Sequence, residues 1–274
     1  MDDALDLDAY CARIGYAGRR EPTLAVLRAV TALHPQAIPF ETLDPLLGRP
    51  VALDPASLQS KLVHGRRGGY CQEQNRLFHD VLGAMGFSVT ALGARVIWMS
   101  PGRDAPLTHR LTLVSLNGEK FIADVGFGGQ TPTWPLLLEP NVEQQTPHGA
   151  YRFVRDGEMY ESQFRLRDEW APMYRFTLTP LAPIDFEVAN WFTSTHPRAL
   201  FVRNLLVARV VGETRVNLRN TELAVRHNDG SVEHRRLSDA QDLRGVLEET
   251  MGLRLPTQAE LIWSKLPSEP SAAL

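Results

Sequence analysis

The apolar residues of this 274-residue chain change their spacing near Gly86, and that change constrains the fold more than any other feature. Before it, apolar positions recur at three- and four-residue steps, the period of an amphipathic helix. Leu5 to Ile14 forms one such run, and Thr23 to Leu33 forms a second, bracketed by Pro22 and Pro35. Asp54 as N-cap with Pro55 at the first helical position announces a third, carrying Leu58, Leu62 and Val63. A fourth follows Gly68 and Gly69, with Leu77, Phe78, Val81, Leu82 and Met85 on one stripe, and ends at Gly86. After it the pattern is that of strands. Phe87 to Trp98 and Arg110 to Leu116 are rich in β-branched and large apolar residues, and Asn117-Gly118 joins the latter to Glu119–Val125 as a two-residue hairpin. Short strands continue to about Thr179.

Beyond Pro183 the reading is mixed: a helix from Ile184 to Phe192, a strand from Phe201 to Val211, and a hairpin turning at Asn228-Asp229-Gly230. Ser238 and Gln241 then read as a capping box for a helix bearing Leu243, Val246, Leu247 and Met251. The closing PSEPSAAL reads as a loose tail, and no internal repeat is visible. The expected class is α+β: helices over 1–86, a β-rich middle over 87–183, and a small mixed unit over 184–274.

Composition narrows what such a chain does. Apolar residues make up 43%, enough for an ordinary core, and 29 basic against 32 acidic groups leave a formal charge of −3. With no basic excess to neutralise phosphates, nucleic acid is not an expected partner. No apolar run approaches the roughly 20 residues that span a bilayer, so no membrane association is expected. The acidic start MDDALDLD is unlike a secretory or mitochondrial leader, and a cytoplasmic location is expected. Two cysteines, Cys11 and Cys71, exclude a disulfide scaffold and a cysteine-rich zinc module. No histidine has zinc-ligand spacing to either of them, so no metal is expected.

Cys71 is the candidate nucleophile. It follows two glycines and opens the fourth helix, where free backbone N–H groups and the helix dipole favour a thiolate, and Arg66 and Arg67 stand nearby in sequence. A small half-buried residue at a helix start is the other reading of the same position. The hairpin supplies a partner. If Asn117-Gly118 is the turn, paired positions sum to 235, so His109 lies opposite Gly126 and Asp124 opposite Leu111. His109 and Asp124 are then diagonal neighbours on a face shared with Leu111, Leu113 and Ile122. A carboxylate and an imidazole on an apolar face are costly unless they satisfy each other. Alone, the pair reads as a structural hydrogen bond; with Cys71 beside it, the logic is that of a triad. Gly126-Phe127-Gly128-Gly129 matches neither a dinucleotide fingerprint nor a P-loop, and reads as a tight strand exit or a place of close backbone approach to a ligand. Cys11, on an N-terminal helix with no histidine in pattern, reads as structural.

These residues carry a resemblance. RRGGYCQEQN is similar to the R-G-G-x-C-x-E-x-N signature of the arylamine N-acetyltransferases. THRLTLV and ADVGFGG resemble the segments holding that family's catalytic His and Asp, in the same chain order, and IPFE near residue 40 and STHPRALF near residue 200 also look like family segments. The match spans nearly the whole chain, thinning beyond about residue 215, and its compact spacing resembles the bacterial branch. The resemblance implies a helical bundle, a β-barrel and an α/β lid around a cysteine-protease-like core, with Cys71, His109 and Asp124 as the triad. It implies that Phe40, Tyr70, Phe127 and Phe201 line an apolar pocket for an aromatic amine or hydrazine. It also implies that Trp98, Gly126, Gly128 and Gly129 lie near coenzyme A, with acetyl-CoA as acyl donor in a ping-pong reaction. Three rivals use similar residues: an amide synthase closing macrolactams from polyketide thioesters, a cysteine hydrolase or transglutaminase-like enzyme, and a binding module without turnover.

Overall fold

Residues 5–99 and 104–267 are described by the structure, a computed structural model. The first four residues of the acidic start and the tail after Pro267 lie outside them. α1 (Leu7–Ile14) is capped by Asp6, whose side chain accepts from Ala9 N, and stops at Gly15 with φ 73°. α2 (Leu24–Ala37) starts at Thr23 and runs through Pro35 rather than ending before it. In the last turn a missing N–H frees only one carbonyl, and Ile38 N still donates to His34 O at 2.8 Å. A two-residue strand, β1 (Phe40–Glu41), and a single turn, α3 (Leu43–Leu46), follow. α4 (Pro55–Leu58), capped by Asp54 through Ser57 N, continues as a wider π-helical stretch over Gln59–His64. α5 (Cys71–Ala84) closes at Gly86, φ 88°, with Phe87 N returning to Leu82 O.

The middle of the chain forms an eight-stranded antiparallel sheet curled towards a barrel. Its strands are β2 (Ser88–Val96), β3 (Leu107–Leu116), β4 (Glu119–Ala123), β5 (Leu136–Leu137), β6 (Gln144–Thr146), β7 (Gly149–Asp156), β8 (Met159–Leu166) and β9 (Glu169–Pro180), in the order β5-β4-β3-β2-β9-β8-β7-β6. The edge strands β5 and β6 share no ladder, and one side chain closes the gap between them. Gln144 accepts from Leu137 N at 2.7 Å and donates to Leu137 O at 2.8 Å, standing in for a peptide group. Asn117 and Gly118 both have positive φ, 52° and 83°, as a primed two-residue turn requires. The β3–β4 register follows, with Leu113 opposite Ile122.

The last unit holds α6 (Pro183–Thr195), α7 (Leu200–Arg203), the strands β10 (Leu206–Val211), β11 (Thr214–Arg219), β12 (Glu222–Arg226) and β13 (Val232–Arg236), then α8 (Ala240–Gly245) and α9 (Ala259–Trp263). Two expectations are corrected here. Phe201 lies in a helical turn, not a strand: Asn204 Nδ2 donates to Leu200 O at 3.0 Å and closes that turn before the strand begins at Leu206. The α8 cap is Asp239, not Ser238; its carboxylate accepts from Asp242 N at 2.8 Å, while Asp242 in turn accepts from Ser238 N. β1 joins this sheet, in the order β1-β10-β11-β12-β13, so a segment from the helical third is built into the C-terminal one.

Strand alternation gives β3 two jobs. Leu111 and Leu113 face the barrel interior with Ile122, Tyr151, Phe153, Met173, Tyr174 and Phe176. Val114 faces the other way, into the helical core of Tyr10, Leu27, Phe78, Val81 and Leu82. α5 is thereby packed against the outside of the strand that carries His109. That contact sets the site.

Candidate active site

The turn before Cys71 is tight because backbones meet there. A Cβ on Gly68 would fall 2.0 Å from Pro39 O, and one on Gly69 would fall 2.7 Å from Glu73 Oε2. Glu73, buried in the first turn of α5, accepts from Tyr70 N at 3.1 Å and from Lys61 Nζ at 2.6 Å. This fixes where the helix begins. Arg67 does not reach the thiol: it donates to Glu41 Oε1 at 2.9 and 2.7 Å and pairs with Asp44 at 3.1 Å. Arg66 is exposed. The expected positive charge from these two arginines is therefore spent elsewhere, and the cationic neighbour of Cys71 is His109.

Cys71, His109 and Asp124 meet in the interior, 6%, 2% and 0% exposed. The Cys71 Sγ lies 3.7 Å from Thr108 O and close enough to the His109 ring to bear on its charge. His109 Nε2 donates to Asp124 Oδ2 at 2.8 Å, which leaves Nδ1 for the thiol. Burial alone would push the His109 pKa down. The charge and hydrogen bond of Asp124 outweigh it, Cys71 adds to them, and the pKa is pushed up to about 10. His109 thus holds its proton at neutral pH.

Asn75 makes this geometry possible. The β3–β4 ladder ends at Thr112–Ala123, and the next hydrogen-bonded pair in that register would be Arg110 with Val125. Asn75, from α5, is wedged between them: its Nδ2 donates to Arg110 O at 2.7 Å and its Oδ1 accepts from Val125 N at 3.0 Å. The same Nδ2 reaches Asp124 Oδ1 at 2.8 Å, and Gly126 N donates to that oxygen at 3.0 Å. A helix one turn on from Cys71 therefore prises the strands apart where Asp124 must turn to His109.

The aromatic residues form two walls. Phe40 and Tyr70 pack on Phe201 with ring centroids 5.7 and 5.3 Å apart, in a cluster that includes Cys71. Tyr70 is wholly buried, and its hydroxyl donates to Asn190 Oδ1. Phe127 stands on the other side, edge-on to His109 at 5.6 Å, with Tyr174 tilted against both. Trp98, half-buried, meets Phe127 edge-on at 6.3 Å. The glycines of the loop are needed by protein packing. A Cβ on Gly126 would fall 2.9 Å from Cys71 Cα, one on Gly129 would fall 2.7 Å from Asn217 Oδ1, and Gly128, φ 95°, lies under the Phe40 ring. Asn75 and Tyr174 are the residues that sequence reasoning missed. Asn75 sits four residues after Cys71 on the same helix face, a spacing that could have shown it; Tyr174 arrives from β9 with no local signal.

The family model described as N-acetyltransferase matches residues 23–260. The arylamine N-acetyltransferase of Mycolicibacterium smegmatis is 46% identical over 92% of this chain and 93% of its own. The chain belongs to the arylamine N-acetyltransferase family. The arylamine N-acetyltransferase of Escherichia coli K12 is 42% identical over 90% of this chain and 88% of its own. Among solved structures, a Mycobacterium marinum arylamine N-acetyltransferase in complex with CoA superposes with a TM-score of 0.91, at 39% identity, covering 95% of this chain and 99% of that one. Among the described residues of this family member, no group of three or more His, Cys, Asp or Glu side chains could hold a metal ion, and no helix is long and apolar enough to cross a membrane.

Proposed function

We propose that this chain transfers an acetyl group from acetyl-CoA to the nitrogen of an arylamine or arylhydrazine through an acetyl-Cys71 intermediate. The observation that carries the reading is the buried Cys71–His109–Asp124 arrangement, with Asp124 holding His109 protonated. Cys71 attacks the thioester carbonyl as its thiolate, paired with the imidazolium of His109. The C–S bond to coenzyme A breaks, and His109 gives its proton to the departing CoA sulfur. His109, now neutral, takes a proton from the amine as its nitrogen attacks acetyl-Cys71. Expulsion of the Cys71 thiolate restores the pair. Thioester exchange is close to even in energy, so the acyl group stays activated between the two half-reactions.

The free N–H groups at the start of α5 are the donors for the oxyanion of each tetrahedral species. Phe127, Phe40 and Phe201 would stack on the aromatic acceptor and keep water from the thioester. Trp98 meets Phe127 edge-on, and Gly126, Gly128 and Gly129 lie in the same loop as Phe127, which supports a coenzyme path beside Phe127. The bundle, barrel and lid boundaries at residues 86 and 183 fit this division of labour, with nucleophile, base and cover on successive parts of the chain. A panel of arylamines and hydrazines assayed with acetyl-CoA tests the reading. Substitution of Cys71 by Ala should lower the rate by ~10⁴ or more. Normal transfer by that variant would overturn it, and acetate release matching amine-free turnover would point to a hydrolase instead.

A further inference from the structure

The C-terminal sheet contributes nothing to the triad, yet one of its side chains grips the loop that follows Asp124. Arg215, on β11, is 4% exposed and spends its whole guanidinium on that loop and its support. Nη1 donates to Thr131 O at 2.9 Å and Gly129 O at 3.3 Å; Nη2 donates to His148 O at 3.0 Å and to the Tyr151 hydroxyl at 2.8 Å; Nε donates to His148 O at 3.2 Å. The five N–H bonds of an arginine are thus all directed at neutral oxygen acceptors.

A buried guanidinium with no carboxylate is costly unless every donor is met, so such a placement calls for a positional reason. The loop supplies it. Asn217, two residues further along β11 and on the same face, packs on Gly129. Thr131 Oγ1 accepts from Gly128 N at 2.8 Å. At the loop's other end, Gly126 abuts the Cys71 backbone and Phe127 lies edge-on to His109. Only a small cavity of about 10 Å³ lies between the Gly128–Gly129 turn and the residues of β10 and β11 that line it.

We infer that Arg215 is a positioning residue through which the C-terminal unit sets Phe127 against His109 and shields acetyl-Cys71 from water. The inference rests on the acyl-cysteine reading. The reaction it suppresses is hydrolysis: a water oxygen attacks the acetyl carbonyl, the C–S bond breaks, acetic acid leaves and ionises in solvent, and the other water proton returns to the Cys71–His109 pair. Loosening the loop should accelerate that step without displacing His109 from Asp124, since Arg215 touches no triad atom.

The test uses wild type, Arg215→Lys, Arg215→Met and Thr131→Val. Each protein is acetylated with acetyl-CoA, freed of excess donor, and followed by intact mass as the acetyl group is lost to water. Arg215→Met should deacetylate at least about tenfold faster than wild type, the order expected when hydrogen bonds from a charged group are lost. Lysine keeps the charge without the planar fork, so Arg215→Lys should also be faster than wild type. Thr131→Val, which loosens the loop without removing a buried charge, should move the same way if the arginine variants fold poorly. Hydrogen exchange supplies the second readout: amides of residues 126–131 should lose protection in the variants, while those of α5 keep it. Wild-type deacetylation half-lives together with wild-type loop protection in the folded variants would overturn the inference. If wild type takes up no acetyl group, the acyl-cysteine reading fails, and loop exchange still decides whether Arg215 holds the loop.

Discussion

Asn75 shows how much one side chain settles. Its amide replaces a backbone ladder pair and touches Asp124, so removing it leaves Arg110 O and Val125 N buried without partners. Asn75→Ala should cost about 2–4 kcal/mol in denaturant unfolding and slow acetyl transfer in the protein that stays folded. Gly126→Ala should act from the other side: its new Cβ would press on Cys71 Cα and Asn75 Nδ2, each 2.9 Å away, and alkylation of Cys71 by iodoacetamide should slow. His109 carries a pH signature. Its pKa rises from an ordinary 6.5 to about 10 in the folded protein, so the native state holds a proton there that the unfolded chain releases. The stabilisation is complete below pH 6.5 and fades as pH rises through 10, by at most about 1.4 kcal/mol per pH unit. Wild type should therefore lose stability relative to His109→Gln across that window in urea titrations, and parallel curves would contradict the proton assignment. Cys71, His109 and Asp124 were legible because a glycine pair, a helix start and a two-residue turn set their positions by counting. Asn75 was legible only as a position one helical turn from Cys71, since nothing in two pairing strands shows that a helix will break into them.

At the scale of elements, termini and turns read well and interiors less so. Asp54 and Pro55 start α4 as expected, and the Asn117-Gly118 turn sets the β3–β4 register as far as Thr112–Ala123, beyond which Asn75 parts the strands beside Asp124. Gly118 has φ 83° with open space around it, so only its backbone conformation demands glycine. Gly118→Ala should cost about 1 kcal/mol by thermal unfolding while leaving the transfer rate of the folded protein unchanged. Pro35 misled because a proline in a last turn forfeits little, and Ser238 because a carboxylate one residue on is the better acceptor. Phe201 was read as strand from its apolar neighbours. Its turn is closed by Asn204, a side-chain bond that periodicity does not report.

The whole molecule is organised so that three parts of the chain converge on one thiol. The helical third brings Cys71, the barrel brings His109 and Asp124, and the C-terminal sheet holds the loop between them through Arg215. β1 was invisible to pattern reading, because two residues carry no period, yet it ties Phe40 and Glu41 into that last sheet. Leu43 and Leu46 accordingly pack with the C-terminal core rather than with the bundle. The central claim is that these parts serve an acyl-cysteine. The most direct measurement is to mix the protein with acetyl-CoA in the absence of any amine, digest it, and locate the acetyl group by mass. One acetyl group is expected, on the peptide containing Cys71, released when an arylamine is added. Free CoA formed with no acetyl on Cys71, or acetyl carried elsewhere and passed to the amine, would contradict it.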